Sequence, residues 1–155
     1  MQTMYYSFNF VTGYKHEDPS PRSIEWRLII LESFAGVPGF VGAGFRHFYS
    51  LRHLKRDHGM IYTLLEEAEN ERMHLMTFIQ VAQPTLFERG LIMVAQAVFY
   101  NFYFFLYLFA PKTAHRVIGY FEEEAVTSYT HYLREIDEGR LENGPAPQIA
   151  IDYWQ

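Results

Sequence analysis

In the segment Leu65-Glu66-Glu67-Ala68-Glu69-Asn70-Glu71-Arg72-Met73-His74-Leu75, a carboxylate and an imidazole stand three residues apart, at Glu71 and His74. On a helix, residues at i and i+3 share one face, so this pair can grip one metal ion. The neighbours say where the pair points. Ile61, Leu64, Leu65, Ala68, Leu75 and Phe78 recur at three- and four-residue steps, the apolar stripe of an amphipathic helix. Glu71 falls on that stripe, three after Ala68 and four before Leu75, whereas Glu66, Glu67 and Glu69 fall largely off it. A carboxylate aimed at a core is costly unless it is paired or bound to metal. The spacing alone leaves two readings open: a metal ligand pair, or a core Glu ion-paired to Arg beside a hydrogen-bonded His.

The length of 155 residues suits one domain with a sizeable core. A net charge of −5 gives no basic footprint for nucleic acid. Cysteine is absent, which excludes disulfides, zinc–thiolate sites and thiol catalysis. Neither an Arg-rich presequence nor an apolar signal core opens the sequence, and no repeats occur.

Residues 1–19 read as irregular. Ser20-Pro21 reads as an N-cap followed by proline in the first turn. A first helix is expected over about 22–54, with Leu28, Leu31, Ala35 and Gly39 on its apolar face, Glu32 on that same face, and a bend at Pro38. Ala35, Gly39 and Ala43 form a small-residue stripe that suits close helix packing, either inside the chain or across a dimer. Arg46-His47 and Arg56-Asp57-His58 mark a basic, solvated helix end, with a break at 57–59. A second helix over about 60–82 carries Glu71 and His74 and ends at Gln83-Pro84.

Residues 90–110 form a run of 21 positions without a formal charge. That length fits a membrane span. Its Gln96, Asn101 and three Tyr suit a helix lying in one leaflet, and a buried core helix is the third possibility. A last long helix is expected over about 112–138, with its stripe on Ala114, Val117, Ile118, Phe121, Ala125, Tyr129, Tyr132 and Ile136. Within Glu122-Glu123-Glu124, Glu122 alone keeps the register of that stripe. The other two are rotated away by roughly 100° and 200° and read as a solvated acidic patch. Residues 139–155 read as a loop.

Three amphipathic helices thus each aim a metal-capable group inward: Glu32, then Glu71 with His74, then Glu122. Together they fit the ligand recipe of a di-iron four-helix bundle up to its last helix. The segments that carry these groups resemble the alternative oxidases. They are Leu31-Glu32-Ser33 with Gly36-Val37-Pro38-Gly39, Arg46-His47 with Ser50-Leu51-Arg52, Ala68-Glu69-Asn70-Glu71-Arg72-Met73-His74-Leu75, and Glu122-Glu123-Glu124-Ala125-Val126 with Tyr129. The resemblance runs in order from about Arg27 to Trp154.

That resemblance implies an all-α, ferritin-like di-iron bundle with three of its four helices present. It implies a non-electrogenic ubiquinol oxidase that reduces O₂ to water. Glu32, Glu71, His74 and Glu122 stand at four of six iron-ligand positions. Tyr129 matches a tyrosine thought to be redox-active in oxygen reduction. Arg27, Leu31 and Ala125 match quinol-pocket positions, as does Ser128, where many members are expected to have Thr. Residues 90–110 match a helix that attaches the protein to one leaflet. A monotopic homodimer on the matrix face of the inner mitochondrial membrane follows, in preference to a bacterial membrane. The family's final helix carries a second Glu-x-x-His, which does not occur here, and the thiol that regulates some members has no counterpart. The chain is therefore expected to be an internal portion of a longer protein, inactive by itself. Two other functions compete: a metal-free, membrane-associated helical interaction protein, and a di-iron hydroxylase with another substrate.

Overall fold

In the computed structural model, which describes Gly13 and residues 20–155, the order of elements is α1 (Pro21–His53), α2 (Met60–Ala82), α3 (Leu86–Phe109), α4 (Pro111–Asp137) and α5 (Gln148–Trp154). No strand occurs among the described residues, in agreement with the all-α expectation. The expected irregular segment 1–19 lies outside the described residues apart from Gly13.

The helix ends follow from local chemistry. Ser20 caps α1, its hydroxyl accepting from the Ser23 N–H at 3.2 Å, and Pro21 fills the first turn. The helix runs unbroken through Pro38. It ends at Leu54, which adopts a left-handed conformation at φ 50°. Gly59 precedes α2 without a side-chain cap, and Asp57 takes over that task. One of its oxygens accepts from the Ile61 N–H at 2.5 Å and the other from Arg46 Nε at 2.7 Å. The break expected at 57–59 is solvent-exposed at His58 and Gly59, as expected, and is tied to both helices through Asp57. Helix α3 starts ahead of the uncharged run because Thr85 and Glu88 form a capping box. Arg22 joins this corner to α1, donating to the Ala82 carbonyl at 2.7 Å and to both Glu88 oxygens at 2.9 and 3.0 Å.

α1 is the central element and packs against α2, α3 and α4. Its contact with α2 is the closest. A Cβ on Gly39 would lie 2.5 Å from the Leu64 carbonyl oxygen and 3.2 Å from Ala68, so only glycine lets the two backbones approach this far. The small-residue stripe therefore serves packing within the chain. Gly39→Ala is expected to lose about 1–3 kcal/mol through forced separation of the helices. Gly44→Ala on the same helix, where a Cβ meets nothing within 4 Å, is expected to gain about 0.5–1 kcal/mol from helix propensity. Urea unfolding of both variants reads the difference.

α3 lies along α1 on the other side. Ile92 joins the apolar cluster of Ile29, Leu75 and Ala82, Phe99 packs on Phe34 with centroids 4.7 Å apart, and Tyr107 stacks on Phe45 at 5.3 Å. The polar residues of the uncharged run are satisfied within the protein: Gln96 donates to the Ser33 carbonyl at 3.3 Å and Asn101 to Ala97 at 2.8 Å. The far side of α3, including Met93, Val94, Val98, Phe102, Phe105 and Phe109, is exposed. α4 packs on α1 and α3, while α2 and α4 pack little against each other, which leaves a groove between them.

The expected loop at 139–155 is only partly a loop. Gly139, at φ 71°, ends α4, and residues 148–154 form the short helix α5 against α2. Pro147 supplies an extended N-cap, and the aromatic residues Tyr153 and Trp154 hold the turn onto α2, a tertiary effect that local periodicity does not register.

Candidate metal centre

α1 and α2 approach closely at Gly36 and Gly39, and one turn further along they present Glu32, Glu71 and His74 to each other. Ligand-capable atoms of these three residues all lie within 4.8 Å of one another. His74 Nδ1 is 3.3 Å from Glu71 Oε2 and 3.6 Å from Glu32 Oε2. Glu32 is 3% exposed, and its Oε1 accepts a hydrogen bond from the Tyr129 hydroxyl. Its Oε2 is buried without a hydrogen-bond partner.

The electrostatics are those of a site short of positive charge. Burial pushes the Glu32 carboxyl above its usual range, with the nearby Glu71 adding to the rise. Burial acts the same way on Glu71, but the neighbouring His74 first and Glu32 second outweigh it and hold that carboxyl low. His74 is pushed up to about 10 by Glu32 first and Glu71 second. Burial raises Tyr129, and the charge and hydrogen bond of Glu32 raise it further. Glu122 is raised by burial and then by the charges of Glu71 and Glu67.

The sign of the pH dependence follows. An imidazole whose pKa is raised from 6.5 to about 10 lends its stabilisation fully below about pH 6.5 and loses it as pH rises through 10. Glu32, also raised, acts in the same direction. The metal-free chain is expected to lose thermal stability between pH 6.5 and 10, and His74→Gln to flatten that part of the curve. Unfolding midpoints across the range, for both proteins, test this.

The metal-capable trio opens into a cavity of about 310 Å³. Its walls are mostly apolar, with Leu31, Phe34, Phe99, Phe121 and Ala125 among them, and Glu122 and Tyr129 add polar groups. A buried carboxylate oxygen without a hydrogen-bond partner, two further ligand side chains around it and a third acid nearby fit a divalent or trivalent cation.

A model of the family described as alternative oxidase matches residues 1–155, the whole chain. The chain belongs to the alternative oxidase family. It is 56% identical over 128 residues to a mitochondrial ubiquinol oxidase of Batrachochytrium dendrobatidis, covering 83% of this chain and 40% of that protein. It is 58% identical over 127 residues to the mitochondrial ubiquinol oxidase 1b of Oryza sativa subsp. japonica, covering 82% and 38%. A mitochondrial alternative oxidase of Ajellomyces capsulatus is 48% identical over 163 residues, covering 95% and 46%. The chain therefore spans less than half the length of these relatives.

Within this alternative oxidase chain, the residues singled out from the sequence fall into three groups. Glu32, Glu71, His74 and Tyr129 come together. Glu122 lines the same cavity but stands outside the close trio and keeps much of its surface open to solvent, because among the described residues no helix covers the groove between α2 and α4. Of the expected pocket residues, Leu31 and Ala125 line the cavity and Arg27 and Ser128 do not. Arg27 is buried and donates through Nε to Ser128 Oγ at 3.0 Å and through NH2 to Glu124. Glu124 is thus no part of a solvated patch: 200° from Glu122, it faces the flank of α1 that holds Arg27. Sequence reading missed a further neighbour of the site, Trp154, whose ring stacks on that of His74. It falls in the segment 139–155 that the sequence marks as a loop, and no spacing rule links it to a residue eighty positions earlier.

Proposed function

We propose that this chain is the central portion of a ubiquinol oxidase in which Glu32, Glu71, His74 and Glu122 contribute to a di-iron centre. The observation that carries the reading is the buried, unpartnered Glu32 Oε2 facing His74 and Glu71. Two iron ions held there would relay the four electrons given by two ubiquinol molecules and supply Lewis acidity for reducing O₂ to water. The chain's own residues set the conditions. Burial of Glu32 excludes water from the inner side of the site. Tyr129 holds a proton at its hydroxyl, directed at Glu32 Oε1, and its position beside both cavity and carboxylate suits a redox role in oxygen reduction. Leu31, Phe34, Phe99 and Ala125 offer apolar walls for a quinol ring. Arg27 and Ser128, one layer behind, would take part in quinol binding by fixing the α1–α4 wall.

The test is cyanide-insensitive ubiquinol oxidation in membranes that carry the chain extended to the length of its relatives. Glu32→Ala and Glu71→Ala are each expected to abolish iron loading and to lower turnover by at least about 10³-fold. Full activity in either variant would sink the assignment. A metal-free interaction protein requires the same variants to leave function intact. A hydroxylase predicts iron loading with substrate oxygenation and no quinol turnover.

We further propose attachment to one leaflet of the inner mitochondrial membrane, on the matrix face, with homodimerisation in the full-length protein. The names of the relatives support the mitochondrion. Both α1 and α3 are long and apolar enough to cross a bilayer, but they differ in cover: 56% of the most apolar window of α1 is buried, against 17% for α3. Since α3 packs along α1, driving it across hydrocarbon would carry the charged pair of Arg27 and Glu124 and the acids of the site with it, at high cost. An in-plane α3, with Val94, Val98, Phe102 and Phe105 toward the acyl chains, avoids this. Residues 1–155 contain no cysteine, so single Leu86→Cys and Phe109→Cys variants of the extended protein, with any cysteine outside these residues replaced by serine, report on the two ends of α3. Both thiols are expected to react with an impermeant reagent from the same side of sealed vesicles. Reaction from opposite sides would show spanning.

A further inference from the structure

His74 is held on one edge only. Its Nδ1 faces Glu71 and Glu32, while among the described residues nothing hydrogen-bonds to Nε2. Its side chain is 35% exposed, so the carboxylates constrain one nitrogen but not the plane of the ring. Metal-binding histidines ordinarily have the second nitrogen fixed by an outer hydrogen bond, which sets the direction of the first. Here that support is replaced by an aromatic face. The Trp154 indole lies 5.4 Å from the His74 ring, centroid to centroid, with the planes 13° apart, which is an offset stack. Tyr153 in turn sets its ring edge-on to Trp154, at 4.7 Å and 83°. Tyr153 also borders an open surface depression together with Tyr62, Leu65 and Asn70 of α2.

We infer that α5 is a latch and Trp154 a positioning residue: stacking on His74 holds the imidazole plane so that Nδ1 stays directed at the two carboxylates. The inference rests on the metal-centre reading for its purpose, since a ring that only filled space would need no fixed plane. Trp154 touches no substrate and no reacting atom in this role. A seven-residue helix with no buried residue of its own is a poor folding unit, and the aromatic contact is what ties its end to the site.

The experiment needs no metal and uses the 155-residue chain itself. With ¹³C,¹⁵N-histidine, the carbon-bound ring protons of His74 are assigned by loss of signal in His74→Gln. They are expected upfield of those of the other six histidines, because they lie over the indole. In Trp154→Leu the upfield shift is expected to vanish and the His74 side chain to average over rotamers, read from its χ1 couplings and ring order parameter. Trp154→Phe, which keeps an aromatic face, is expected to retain a single rotamer. Unshifted signals in the parent chain, or signals unmoved by Trp154→Leu, would show that the stack is absent and overturn the latch. A shift that vanishes while the ring stays equally ordered would show contact without positioning, and would overturn the role assigned to Trp154. Neither result bears on whether iron binds, and a failure of iron loading leaves the stack untouched, so the two readings fail separately.

Discussion

Purified residues 1–155, given ferrous iron under anaerobic conditions and then exposed to air, are expected to hold no pair of irons and to leave ubiquinol unoxidised. The reason lies in charge and cover. Glu32, Glu71 and Glu122 line one cavity with a single imidazole among them, and burial already pushes Glu32 and Glu122 toward the neutral form. A trivalent pair needs more donors than these, and a groove open between α2 and α4 among the described residues lets water compete at Glu122 and His74. The chain extended to the length of its relatives should recover two irons per protein and turnover. The same recovery should follow from a separate helical peptide carrying a second Glu-x-x-His and seated in the groove. Iron stoichiometry and quinol oxidation, measured on all three preparations, check this. Two irons and turnover from residues 1–155 alone would overturn the ligand assignment.

Replacement of Arg27 by Met is expected to be the most destabilising single change outside the packed core, by roughly 3–5 kcal/mol. The guanidinium is buried, its Nε donates to Ser128 and its NH2 to Glu124, so it bridges α1 and α4. Removing it leaves the Glu124 carboxylate in a partly buried place without its cation, and that uncompensated charge is the larger part of the loss. For a domain of this size the change corresponds to about 10 °C in unfolding temperature. Glu124→Gln in the same background should recover part of the loss, since an amide there carries no charge to strand. Differential scanning calorimetry on Arg27→Met, Glu124→Gln and the double variant gives the coupling directly. Additive losses would show that the pair does not act as a unit.

Helix identity and the first half of the site were legible in the sequence because both rest on local periodicity. Glu32, Glu71 and Glu122 each keep the register of an apolar stripe, and a three-residue step puts His74 above Glu71 whatever the rest of the chain does. Ser20-Pro21 and Gln83-Pro84 likewise mark helix ends through the chemistry of their own few residues. The assignment of Glu124 to solvent failed for a physical reason. A helical stripe describes one packed face, whereas α4 is polar on a second face that meets α1, where Glu124 and Ser128 share Arg27. No periodicity shows such a face, because the partner cation lies about a hundred residues away.

What the sequence determined by itself was the four long helices, the register of their acids and the family to which they belong. Tertiary structure decided which of those groups meet. The glycine contacts at Gly36 and Gly39 bring α1 close enough to α2 for Glu32 to face His74, while the weak packing of α4 against α2 keeps Glu122 at the rim. Folding α5 back onto α2 then places Trp154 over the imidazole. Each of these depends on distances between backbones a few ångströms apart in space and tens of residues apart in sequence. Side-chain period along one helix carries no information about such distances.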